Sequence, residues 1–233
     1  MPPIDPANSE TPAFPKNRFL SLVPGNAGRL AAIRVTFVDL PDPYDAWEGV
    51  KMWVGEPQAI SENAGKVDPA EAPGWPTFTA VTFHCALQPE DYRNWSTLGT
   101  IHLYHEGIVP GGTYDVQEIH QLCDPAVEAS YSLPLRLDTS IWADIVSNCA
   151  TDPCGPPDGV VGIPTDVTAV LDKFKNLDGA PIKARADIEP QIPDHSISIT
   201  DVTYVLDAFR GSPYPFSPSG PPPCGGRVTA PGH

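Results

Sequence analysis

Oxygen donors spaced for a hard cation occur twice in the last third of this 233-residue chain. One set runs DGVVGIPTDVTAVLDKFKN from Asp158, the other DHSISITDVTYVLDAFRG from Asp194. An EF-hand-type loop places oxygens at positions 1, 3, 5, 7, 9 and 12, the last at the start of the exiting helix. With Asp194 at position 5, Ser196 falls at 7 and Asp201 at 12. In the first set Asp158 and Gly159 fit positions 5 and 6, and Val160 follows as a further candidate ligand. Asp166 then arrives one residue late, which points to a small bulge at Gly162-Ile163-Pro164. Asp152 and Asp187 are the candidates for position 1, at spacings that require expanded loops, and Glu189 is an added candidate.

Such loops need helices to aim them, and the sequence supplies two. A shift of 35 residues lays Thr165-Asp166-Val167-Thr168 on Thr200-Asp201-Val202-Thr203. Val167, Val170, Leu171 and Phe174 follow i, i+3, i+4, i+7 spacing, and Val202, Val205, Leu206 and Phe209 repeat it, so each copy predicts an amphipathic helix. Thr165 and Thr200 stand where N-caps belong, and Gly211 where a helix would end. Helices this short rarely persist alone, so bound calcium would contribute to folding. The plainer alternative is a helical hairpin with solvated aspartates.

This loop-helix repeat, closed by aspartate, resembles the dockerin module of cellulosomes, and DGVV…TDVTAVLDKF with AFRG-x-PYPF is similar to dockerin-like tails of planctomycete secreted proteins. The resemblance covers about residues 150–224. It implies calcium binding and docking on a β-sandwich cohesin through Val170, Leu171, Phe174, Tyr204, Leu206, Phe209 and Arg210.

Upstream, period-two alternation broken by Pro and Gly predicts strands at 18–23, 30–40, 50–54, 78–87, 100–106, 114–122 and 133–138. The expected fold is mostly β: an antiparallel β-sandwich of immunoglobulin or fibronectin III type over 17–147, then the dockerin-like helical domain over 148–224. A Pro-rich arm (1–16) and a tail (225–233) flank them, and 56–75 is expected to be a long polar loop. Residues 140–146 are expected to form a last strand or short helix packing Trp142. Trp47, Trp53, Trp75 and Trp95 with Tyr44 and Tyr92 could form a carbohydrate-stacking face, or serve as core. Wording such as NRFLSLVPGN also resembles planctomycete secreted proteins.

A net charge of −15 argues against nucleic acid and anionic membrane as partners. No apolar run is long enough to span a bilayer, and MPPIDPANSE has no signal-peptide pattern. Five cysteines nevertheless suggest an oxidising, extracellular setting. Cys85 could pair with Cys123 and Cys154 with Cys224; a Cys149–Cys154 link is the rival. His102 and His105 project to opposite faces of a strand and so cannot share a metal unaided. No nucleophile, phosphate-loop or zinc motif occurs. The expectation is therefore a non-enzymatic assembly protein that uses calcium to polymerise head to tail. The alternative is a carbohydrate- or surface-binding sandwich anchored to a cohesin-like scaffold.

Overall fold

A computed structural model describes residues 18–25, 28–66, 69–71, 73–147, 155 and 157–225. Each of the seven predicted strands is present: β1 (Leu20–Leu22), β2 (Ala31–Asp39), β3 (Lys51–Ser61), β4 (Thr77–His84), β5 (Ile101–Leu103), β6 (Thr113–His120) and β7 (Leu135–Asp138). Alternation selects the buried face. Ile33, Val35 and Phe37 of β2 join Met52 and Val54 of β3 and Tyr114 and Val116 of β6 in one cluster. Val35 lies opposite both Met52 and Val116.

The strands form one sheet in the order β1-β5-β4-β3-β2-β6-β7. Leu20 and Leu22 from one edge strand and Leu135 and Leu137 from the other reach the same core, so the sheet curls nearly closed. It is antiparallel except where β4 and β5 run parallel. This order differs from the two separate sheets of an immunoglobulin sandwich. Residues Glu56–Ser61, expected in a loop, extend β3, with Pro57 accommodated beside a register shift.

Three short helices follow: α1 (Thr168–Phe174), α2 (Lys183–Ala186) and α3 (Ile199–Phe209). A single π-turn, Ile163–Val167, leads into α1. Its i→i−5 bond, from Val167 N–H to the Gly162 carbonyl at 3.2 Å, absorbs the extra residue that put Asp166 one place late. The equivalent residues Val167 and Val202, and Val170 and Val205, form a second core with Ile145, Val146, Ile188 and Ile197. Trp142 packs into this helical core, and residues 140–146 are neither strand nor helix.

The helical segment lies on its own sheet. The β3–β4 connection supplies Glu62, whose Oε2 accepts bonds from Lys173 Nζ and the Lys183 N–H, both at 2.7 Å. Asn63 Oδ1 and the Ala64 N–H bond the Asn176 side chain. Ala184 enters a third cluster with Phe19, Ile60, Phe78 and Tyr104. Beyond α3, Tyr214 and Phe216 pack on Trp142 at 5.4 and 6.4 Å. A Cys85–Cys224 disulfide then ties the tail to the residue after β4.

Candidate acidic loops

The helix caps sit earlier than predicted. Ser198, not Thr200, caps α3, in a reciprocal box with Asp201. In the first copy the turn begins after Gly162, and Thr165 lies inside it, donating its hydroxyl to Asp166 at 2.8 Å. The C-terminal signal works as read. Gly211 has φ +87°, and Asn176 takes the equivalent place ending α1 with φ +54°.

Each loop begins at an aspartate. Asp144, which sequence reading missed, accepts the N–H groups of Asp158 (3.1 Å) and Gly159 (2.7 Å). Asp187 accepts the N–H of His195 at 2.7 Å. Gly159 and His195 occupy the same left-handed corner, φ +87° and +59°. Asp152, the sequence candidate for the first head, lies outside the described residues. One signal for Asp144 was available: Ala143-Asp144-Ile145 repeats as Ala186-Asp187-Ile188. The repeat is spaced 187 − 144 = 43 residues apart against 194 − 158 = 36 at the turn, because the first loop is longer.

Each loop also ends at an aspartate that ties it shut. Asp166 Oδ1 takes the N–H groups of Ile145 and Val146 at 2.6 and 2.9 Å, and its Oδ2 takes that of Gly162 at 2.8 Å. Asp201 does the same with Ile188, Glu189 and Ser198, at 2.8–3.0 Å. Both carboxylates are fully buried.

The electrostatics of the two loops differ. In the first, burial pushes the Asp144 carboxyl up to about 6, against the lowering effect of its two backbone bonds, and the Asp166 and Asp158 charges add to the rise. Asp158 and Val160 are exposed. In the second, Asp187 is 2% exposed and its Oδ1 has no hydrogen-bond partner. Burial holds its carboxyl well above the usual range against the lowering effect of the Arg18 charge, and the charges of Asp201 and Asp194 add to the rise. Glu189 is raised by burial and then by the same two aspartates. Asp194 is exposed, with Oδ1 accepting the Ser196 N–H at 2.8 Å.

Of the predicted ligands, then, Asp187, Glu189, Asp194 and Asp201 are coupled electrostatically in the second loop, Asp158 and Asp166 are coupled through Asp144 in the first, and Val160 adds no charge. Among the described residues no group of three or more His, Cys, Asp or Glu side chains stands in metal-holding geometry. The second loop differs from the first in keeping one buried carboxylate oxygen, Asp187 Oδ1, without a hydrogen-bond partner. The first loop has spent its buried carboxylate oxygens on N–H groups. An ion there would rely on Asp187 Oδ1 with Glu189 and Asp194, since both Asp201 oxygens are taken by N–H groups.

The predicted partner-facing residues divide. Val170 is fully buried, and Leu171 and Leu206 pack against the helical core. Tyr204 is stacked beneath Phe216 at 5.7 Å. Those four face inward because the stripe that marked them is the stripe that makes the core. Phe174 and Phe209 remain exposed, as does Arg210, paired with Asp207 at 3.1 Å.

The disulfide expectations are corrected. Cys224 joins Cys85, not Cys154, and Cys123 is free; Cys149 and Cys154 lie outside the described residues. Tyr44, Trp47, Trp53 and Trp95 are buried and Trp75 is exposed, so these aromatics serve mainly as core and form no stacking row. His102 sits between Phe19 and Phe78, whereas His105 packs on Phe37, Trp47 and Phe83.

No protein-family model, curated protein or solved structure matches the chain.

Proposed function

We propose that the protein is a non-enzymatic, extracellular attachment protein whose dockerin-like repeat binds calcium in its second loop and joins one copy of the chain to the next. One observation carries the reading: the repeat exposes the same apolar residues twice. Ile163 opens the π-turn ahead of α1 and Ile199 opens α3, with 47% and 61% of their surface exposed, and Phe174 and Phe209 end the helices with 39% and 46%. Matched apolar side chains left in water on so small a unit favour a protein partner. The buried, unpaired oxygen of Asp187 supports calcium at the second loop. The Cys85–Cys224 bridge suits an oxidising compartment.

Sedimentation velocity and negative-stain electron microscopy, in millimolar calcium and then in chelator, test this. Calcium-dependent oligomers or filaments are expected. Monomers in both conditions, with capture by an immobilised cohesin-type sandwich only in calcium, would move the partner to a separate scaffold. Monomers without such capture sink the attachment reading.

A further inference from the structure

The two loops are gripped by arginines from different owners. In the first loop Arg185, from α2, donates Nη1 to the Ile145 carbonyl at 3.1 Å and to that of Gly155 at 3.3 Å. In the second loop the grip comes from Arg18, just ahead of β1 and 2% exposed. It donates to the carbonyls of Ile188, Pro190 (2.8 Å) and Gln191. The N–H groups of Ile188 and Glu189, on the same stretch, are held by Asp201. Asp187 is within electrostatic reach of Arg18, Asp201 and Asp194 together. The guanidinium therefore lies against the acidic loop from the sheet side, and it engages carbonyl oxygens of the kind a hard cation seeks.

We propose that Arg18 is a tethered counter-ion that competes with a divalent cation for the second loop, so that metal binding and the clasp of the helical segment to its own sheet oppose each other. This rests on the calcium reading above. A guanidinium cannot shed its charge at any relevant pH, and like charges repel strongly where water is excluded. Linkage makes the effect reciprocal: the clasp weakens cation binding by the factor by which the cation weakens the clasp. Arg185 holds the first loop, whose buried carboxylates among the described residues, Asp144 and Asp166, have every oxygen on an N–H group, so it is the internal control.

Calorimetric titration of the full chain with calcium chloride decides the matter. Arg18→Met should bind calcium five- to tenfold more tightly than the wild type, and Arg185→Met within twofold of it. Asp187→Asn should lose tenfold or more. Binding by Arg18→Met no tighter than by the wild type overturns the competition while leaving the calcium reading intact. Absence of binding by both wild type and Arg18→Met overturns the calcium reading, and the competition with it. A measurement on the wild type alone guards against a variant that fails to fold: calcium should speed amide exchange across Arg18–Leu22. Unchanged or slower exchange there overturns the proposal.

Discussion

The first acidic loop is complete within the helical segment, whereas the second is finished by an arginine 170 residues earlier in the chain. Both share one wiring: an aspartate head, a left-handed corner, a closing aspartate at the helix, and an arginine on the carbonyl after the head. They differ in whether the negative charge is fully engaged. Asp144 and Asp166 spend their oxygens on N–H groups. Asp187 keeps one oxygen unbonded while fully enclosed. The difference teaches that duplicated local chemistry can serve two ends: the first loop is a self-contained brace, and the second couples the repeat to the sheet.

The sharpest way to break this comparison is to cut each closing carboxylate. Asp166→Ala should cost about 3 kcal/mol in denaturant unfolding, since it strands several buried N–H groups. That loss should be the same in calcium and in chelator. Asp201→Ala should lose a similar amount in chelator. In calcium at 100 times the dissociation constant it should fall behind the wild type by a further ~2.7 kcal/mol. Equal calcium responses in the two variants would erase the distinction between the loops.

Next comes pH. A carboxyl raised on folding holds its proton longer in the folded state than in the unfolded chain. Its contribution is therefore greatest at acid pH and is lost as pH rises through the folded value. For Asp144, raised from 3.8 to about 6, stability should decline across that interval by about 3 kcal/mol. Asp187, held well above the usual carboxylate range by burial, should add to the decline. Calcium should remove the Asp187 part and leave the Asp144 part. Unfolding curves from pH 4 to 8, with and without calcium, check this; a calcium-independent profile would contradict the second loop as the cation site.

The smallest effect on stability should come from Phe174→Ala and Phe209→Ala. Both side chains are exposed, so each change should shift stability by only about 0.5 kcal/mol. Each should nevertheless weaken calcium-dependent association in sedimentation. A stability loss of several kcal/mol would place these residues with Val170 and Val205 in the core instead.

Much of this was legible in the residues. The helices announced themselves through Val167, Val170 and their repeats, because a 3.6-residue period needs only near neighbours to be recognised. The strands did so through alternation, as in Ile33, Val35 and Phe37. The π-turn was foreshadowed by a one-residue misfit ahead of Asp166. Which apolar residues stay exposed was not legible, since a helical stripe looks the same whether or not its own core covers it. Val170 and Tyr204 are covered, and Phe174 and Phe209 are not.

By itself, then, the sequence determined the element types, the repeat and the closing aspartates, all of which depend on spacings of a few residues. Tertiary structure alone decided that the seven strands curl into one sheet and that the Asp144 and Asp187 carboxylates close on the turns at Gly159 and His195. It also decided that Cys85 meets Cys224 and that Arg18 completes the second loop. Those pairings join distant parts of the chain, and they are selected by packing, enclosure and charge in three dimensions, which no local period records.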